Sequence, residues 1–400
     1  MLKKPDDIVV AAVARTPFGR FEGTLKDFNA PRLGALAINE VLLRAAPLAN
    51  QVDALYGGVG MLGGAVLTPV RQAVLLSNLP ETTPSASIDR ACCSGMTAIG
   101  IGMKDIRCGE ARVVLCGGFE SLSRTPVLWP RQRERRIGDV AVSDPLLMRG
   151  LMVDRPIAVY SGDEALRHGV DRQQQDAWAL RSHQQYFAAQ AERYFEFERF
   201  GITVTDGKGQ PRRIATDESP RADSNLDKLA ALEPVYGGKT ITAGNAPGLN
   251  DGAAFTVITR RDIAMGHGME PLARLVDYVQ VCGGPTSGTT TPATAIMRIA
   301  ERNDLDRTTW DLLEINEAYA ATPLVSTMVL ADGDHAIAKS LRERTNVHGG
   351  AVAIGHPLGA SGARIVMTLI NGLRARGGGR GVAAICGGFG QGDAVLVEVA

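Results

Sequence analysis

Residues 92–119 read CCSGMTAIGIGMKDIRCGEARVVLCGGF, and residues 359–389 read GASGARIVMTLINGLRARGGGRGVAAICGGF. Both stretches run Ser-Gly, a helical segment, a glycine-containing turn, a short apolar run and then Cys-Gly-Gly-Phe. Cys116 follows Ser94 by 22 residues and Cys386 follows Ser361 by 25, the extra residues falling in the glycine-rich turn 377–381. Matching order, polarity and offset near the two ends of one chain indicate a duplicated unit. The apolar runs IVVAAV, RVVLCGG, AFTVIT and GVAAICGG read as buried strands. They alternate with helical stretches such as APRLGALAINEVLLRAA and SGARIVMTLINGLRAR, which predicts α/β layering in two similar halves.

A chain of 400 residues is long enough for two halves that share one large core. Its 45% hydrophobic and 22% charged residues are those of a globular protein. The 43 basic and 43 acidic residues cancel, so no overall field points to nucleic acid or an anionic membrane. Six cysteines occur without metal-like spacing, and Cys92 and Cys93 are adjacent, so free thiols in a reducing compartment are expected and no metal site is. The opening MLKKPDDIVVAAVARTP reads as a first strand rather than a signal peptide, no apolar run reaches membrane-spanning length, and the closing VEVA is no peroxisomal address. A cytoplasmic protein is the expectation. Between the repeats, 121–245 is charged and turn-rich around one helical stretch, RQQQDAWALRSHQQYFAAQAERYFEF, and reads as an inserted loop domain. The halves are then 1–120, continued at 246–272, and 273–400.

Four segments carry residues suited to chemistry. Cys92 and Cys93 lie between a short strand and a helix starting at Ser94. There the helix dipole favours a thiolate, although two small core fillers fit the segment equally well. NVHGGAVAIGHPLGASGARI at 346–365 is dense in glycine and sets His356 in a turn before a helix, aimed toward a cleft. His348 shares the segment without that framing. EINEAYAA at 314–321 holds Asn316 in an apolar setting, as a helix cap or as the holder of a water or carbonyl. Cys386 ends a strand and precedes GGFGQG, a loop able to present backbone N–H groups to an oxyanion.

Together these segments resemble the thiolase family, the acetyl-CoA acetyltransferases and 3-oxoacyl-CoA thiolases. The family's C-x-S-G, N-E-A-F and G-H-P elements appear as Cys92-Cys93-Ser94-Gly95, Asn316-Glu317-Ala318-Tyr319 and Gly355-His356-Pro357, followed by the cysteine and glycines from Cys386 to Gly392. RTPFGRFEGTL, GGFESLSRTP, DESPR and AGNAPGLNDGAA extend the likeness along the whole chain. The resemblance implies a five-layer αβαβα sandwich of two halves with a loop domain inserted in the first. It implies that Cys92 is the nucleophile, that His356 activates it, that Asn316 positions a water, and that Cys386 moves a proton at C2 of the acetyl unit. The backbone N–H groups of Cys92 and Gly388 would form an oxyanion hole. Cys93 would be a bystander and Cys116 a buried core thiol. Coenzyme A thioesters are the implied substrates, with CoA as co-substrate, no tightly bound cofactor, and a homodimer or homotetramer as the assembly. The activity belongs with fatty acid metabolism.

The binding walls depart from the family pattern. Pro156 to Gly162 replaces the H-M-G-x-T-A-E loop, Pro247 replaces a serine, Ser287 stands at a methionine position, and His348 at one where Asn is common. An acyl group other than the acetoacetyl unit is therefore expected. Arg221 of DESPR is the candidate for the CoA phosphates, with the cluster Arg131, Arg133, Arg135 and Arg136 as an alternative. A β-ketoacyl synthase is the nearest competing reading, and Cys386 argues against it. A silent thiolase-like binding protein would lack a catalytic residue, and none is missing.

Overall fold

A computed structural model of the chain describes residues 4–61, 67–129, 142–205 and 207–400. The first half supplies β1 (Ile8–Arg15), the short β2 (Gly19–Arg20), β3 (Ala54–Gly58), β4 (Ser85–Ile88) and β5 (Val113–Ser121). A hairpin of β6 (Ile202–Thr205) and β7 (Pro211–Ile214) lies in the excursion that follows, and β8 (Asn250–Arg260) returns to the half. The second half holds β9 (Ala273–Cys282), β10 (Leu312–Ile315), β11 (Gly379–Gly387) and β12 (Gln391–Val399).

Strand order runs β4-β3-β5-β8-β1 and then β9-β12-β11-β10, with the halves joined by the short pairing of Val9 and Val10 with Arg274 and Ala273. β3 lies parallel to β5, which is antiparallel to β8, which is antiparallel to β1. β10, β11, β12 and β9 repeat that pattern of directions. The helices repeat as well. Ala30–Arg44 links β1 to β3 as Thr291–Arg302 links β9 to β10, and Ser94–Cys108 precedes β5 as Leu358–Ala375 precedes β11.

Side-chain alternation on the strands builds the layers. Val113, Leu115 and Phe119 of β5 pack outward with Leu33, Ile38 and Val41 of the Ala30–Arg44 helix. Val114 and Cys116 face inward to a core shared with Met96, Ile99, Ile365 and Leu369. On β11, Val382 and Ala384 face outward to Ile296 and Ile299, while Ala383 and Ile385 join the inner core. The result is the five-layer αβαβα sandwich, with the Ser94–Cys108 and Leu358–Ala375 helices between the two sheet halves.

Those two helices cross at glycine. A Cβ on Gly95 would sit 2.4 Å from the Gly359 carbonyl oxygen, and one on Gly362 would sit 2.4 Å from the Met96 nitrogen. Any larger residue would push the helices apart. Their N-terminal ends are therefore adjacent, and Cys92 and His356 lie just upstream of those ends.

The excursion between β5 and β8 contains helices Ile157–Arg167 and Arg172–Ala191, the second opened by a capping box of Asp171 and Gln174. Trp178, Ala179 and Ile241 pack on Ala320, Leu324 and Val325 of the second half, which roofs the end of the sandwich where Cys92 lies. Arg131, Arg133, Arg135 and Arg136 lie outside the described residues. Among the described residues no helix is long and apolar enough to cross a membrane.

Candidate active site

Cys92 follows Ala91, a non-glycine residue held at φ +50°. The Ser94 hydroxyl accepts from the Arg90 N–H at 2.8 Å and donates to the Ala91 carbonyl at 2.5 Å, which locks this strained elbow. Arg90 in turn pairs with Asp393 and donates to the Gln391 side-chain oxygen at 2.9 Å, tying the elbow to β12. Cys93 points away from the site, its Sγ directed to the Ile385 carbonyl at 3.5 Å.

His356 is placed by Gly355, whose φ of +111° and contact with the Asn250 side chain leave no room for a Cβ. The Asn250 Oδ1 accepts the His356 N–H at 2.8 Å. Ser361 Oγ lies 2.6 Å from His356 Nδ1 and gives its own proton to the Pro357 carbonyl at 2.8 Å. With that proton committed, Oγ can only accept, so Nδ1 carries the imidazole proton and Nε2 is left as the acceptor. Nε2 lies 3.1 Å from Cys92 Sγ. Asn316 Nδ2 is 3.5 Å from the same Nε2, and its buried Oδ1 has no partner among the described residues.

The sequence places Cys92 at a helix N-terminus, where a lowered thiol pKa is expected. Burial acts the other way: it pushes the Cys92 thiol well above its usual value, helped by Cys386 and the Glu120 carboxylate. Burial, with Arg364 nearby, also holds His356 down to about 3. The resting pair is thus neutral thiol and neutral imidazole, hydrogen-bonded and ready to move one proton. Glu120 itself is buried, accepts the Gly60 and Gly359 N–H groups at 2.8 and 3.2 Å, and is pushed up to about 7 by burial.

Cys386 shares a cavity with Cys92. Its thiol is pushed up to about 12, by burial first and then by the Glu164 carboxylate, so it is a proton donor at rest. The two Cys-Gly-Gly-Phe copies differ here. β5 continues through its copy to Ser121 because β8 stays paired with it as far as Asp251. β11 ends at Gly387 and turns, with Phe389 at φ +61° and Gly390 at φ +78°. Cys386 therefore sits at a strand end facing the site, whereas Cys116 is fully buried in mid-strand against Gly102. Neither the Cys92 nor the Gly388 N–H donates to a described group, and a Cβ on Gly388 would lie 3.4 Å from that of Ala91.

Two cavities meet at Cys92, Ile157, Ala318 and Tyr319. The larger, of about 240 Å³, runs from Cys92 and His356 past Pro247, Leu249, Met148 and Tyr236. Pro247 thus lines it, as do Pro156 and Ile157. Arg221 is exposed, makes no ion pair among the described residues, and gives its backbone N–H to His183. Ser287 does not itself line the smaller cavity, although Pro285, Thr286 and Gly288 do. His348 lines neither cavity; its ring stacks on Tyr194 at a centroid distance of 3.7 Å.

Ser361, Asn250 and Glu164 are site residues the sequence reading did not select. Ser361 entered it only as a marker of the repeat. Glu164 accepts the Thr289 N–H at 2.7 Å and the Thr289 and Thr290 hydroxyls at 2.6 and 2.9 Å, partners more than a hundred residues away.

The chain matches the family model of the thiolase N-terminal domain over residues 8–262 and that of the thiolase C-terminal domain over 269–399. It belongs to the thiolase family, a family of acyltransferases. A probable acetyl-CoA acetyltransferase of Mycolicibacterium smegmatis is 38% identical over 98% of this chain and all of its own length. A beta-ketoadipyl-CoA thiolase of Pseudomonas aeruginosa is 36% identical over 98% of this chain and 99% of its own. The crystal structure of human mitochondrial 3-ketoacyl-CoA thiolase superposes with a TM-score of 0.91 at 35% identity, covering 99% of both chains.

Proposed function

We propose that the chain is a β-ketothiolase (acetyl-CoA C-acyltransferase) that interconverts a 3-oxoacyl-CoA plus CoA with an acyl-CoA plus acetyl-CoA. The supporting observation is the 3.1 Å contact of Cys92 Sγ with a His356 Nε2 that can only accept, beside a protonated second thiol, Cys386, on the same cavity.

In the thiolysis direction His356 Nε2 takes the Cys92 proton as Sγ adds to the C3 carbonyl of the 3-oxoacyl-CoA. The C2–C3 bond breaks, leaving the acyl group as a thioester on Cys92 and an acetyl-CoA enolate. Cys386 delivers its proton to C2, which releases acetyl-CoA. Free CoA then gives its thiol proton to the Cys386 thiolate, its sulfur adds to the acyl-Cys92 carbonyl, and Cys92 Sγ departs and recovers the proton held on His356 as the acyl-CoA leaves, a ping-pong cycle. The Cys92 and Gly388 N–H groups, unengaged among the described residues, receive the oxyanion of the thioester adduct, while His356 and a water positioned by Asn316 support the enolate oxygen. CoA enters by the larger cavity, with Arg221 toward its phosphates. A homodimer or homotetramer is the proposed assembly.

The altered walls at Pro156, Ile157 and Pro247 support an acyl group other than acetoacetyl. Incubation with a panel of 3-oxoacyl-CoAs, with intact-mass detection of acyl-Cys92 and measurement of acetyl-CoA release, tests both statements. Absence of acylation with every member refutes the thiolase reading. An optimum at acetoacetyl-CoA refutes the substrate expectation alone. The second thiol on the cavity favours this chemistry over decarboxylative condensation, which a malonyl-thioester assay would reveal.

A further inference from the structure

The smaller cavity, about 40 Å³ beside Cys92 and Cys386, is lined by Tyr319 and Thr322, whose hydroxyls have no hydrogen-bond partner among the described residues. The N-E-A-F element ends here in tyrosine, and the Tyr319 ring lines both cavities. Its phenol makes no hydrogen bond with a described group. One turn on, Thr322 is fully buried, lines the same cavity, and its Oγ1 has no partner among the described residues. A helical threonine ordinarily returns its hydroxyl to a carbonyl in the preceding turn, as Thr327 does to Pro323. Thr322 does not. A buried hydroxyl without a partner is destabilising, so Thr322, beside the half-buried Tyr319 phenol on the same cavity, marks a place where a ligand atom completes the set.

Charge narrows the class of that ligand. Among the described residues no Lys, Arg or His lines this cavity, and the Glu164 carboxylate stands behind Cys386. A carboxylate on the acyl chain would be repelled, whereas a neutral oxygen can take both hydroxyls. The small volume restricts the substituent to the carbons next to the reacting carbonyl.

Resting on the thiolase reading, the geometry points to a specificity subsite in which Tyr319 and Thr322 select a short 3-oxoacyl-CoA bearing a neutral hydroxyl or ether oxygen beside the C3 carbonyl. Tyr319 and Thr322 hold that oxygen while Cys92 attacks C3, and the chemistry of cleavage is otherwise unaltered.

The test compares 4-hydroxy-3-oxobutanoyl-CoA with 3-oxopentanoyl-CoA, equal in heavy atoms and differing by hydroxyl for methyl, and includes 3-oxoadipyl-CoA as the carboxylate probe. The parent should favour the hydroxylated substrate in kcat/KM by about tenfold, the worth of one or two hydrogen bonds. Tyr319→Phe and Thr322→Val should each pull that ratio toward one, with the loss falling on the hydroxylated substrate. Because the ratio is taken within each variant, partial misfolding does not move it. Equal use of the pair by the parent, a preference for 3-oxoadipyl-CoA, or an undiminished ratio in both variants overturns the subsite. Cleavage of 3-oxopentanoyl-CoA alongside any of these results leaves the thiolase reading standing. No cleavage of any of the three overturns both.

Discussion

Replacing Ser361 with alanine tests the proton arrangement of the site directly. The Ser361 oxygen is the sole described acceptor for His356 Nδ1–H, at 2.6 Å, in a site buried on all sides. Without it the tautomer that leaves Nε2 free is no longer favoured, and the imidazolium formed when Cys92 reacts loses its support. A buried donor left unmet costs about 1–3 kcal/mol. At about 1.4 kcal/mol per factor of ten, the rate of Cys92 acylation should fall roughly 5- to 150-fold. Rapid-quench mass spectrometry of the acyl-enzyme reads that step alone. Because Ser361 lies behind the imidazole rather than on a cavity wall, the loss should appear in the acylation rate and much less in KM. A folded Ser361→Ala protein that acylates Cys92 at the parent rate would refute the tautomer argument.

Cys386→Ala should lower thiolysis by about 10²–10⁴-fold, the usual span for a lost general acid, while leaving acyl transfer from simple acyl-CoAs to Cys92 measurable. Cys116→Ala should instead lower the melting temperature and spare turnover, and equal losses of activity from both would contradict the separation. Glu164→Gln removes the charge behind Cys386, so alkylation of Cys386, followed by peptide mass, should set in at lower pH than in the parent; an unmoved profile would exclude the carboxylate as a cause. His348 is held down to about 4 by burial. As pH falls below about 6.5 the unfolded chain binds a proton that the folded one refuses, so stability is complete above that value and is lost toward pH 4. His348→Phe keeps the stack on Tyr194 and should shrink the fall in melting temperature between about pH 7 and pH 5. A fall as large as the parent's would show that His348 is not responsible.

Much of the architecture was legible because its requirements are local. The repeat around Cys-Gly-Gly-Phe marked two halves, since each needs a tight helix crossing, a strand and a turn in that order. The alternating apolar runs identified the strands. The buried charge cluster was invisible: Arg15 pairs with Glu198 at 2.6 Å and Asp217 at 2.7 Å, and Arg199 joins Asp217 at 2.7 Å. These partners come from separate segments, and nothing in their spacing pairs them. The cluster ties the excursion to β1 beneath the site.

Residue types and spacing alone determined the duplicated α/β layout, the glycine contacts it demands, and the set Cys92, Asn316, His356 and Cys386 as the place to look. Tertiary structure decided what those groups are. Burial pushes the Cys92 thiol up, which favours its neutral form. Ser361 sets the imidazole tautomer, and Glu164, from the excursion, raises Cys386. His348 turns to Tyr194 instead of the cavity, while Tyr319 and Thr322, whose hydroxyls have no partner among the described residues, line it. Protonation and the facing of side chains depend on what other segments exclude or supply, and those segments meet only when the halves close on each other.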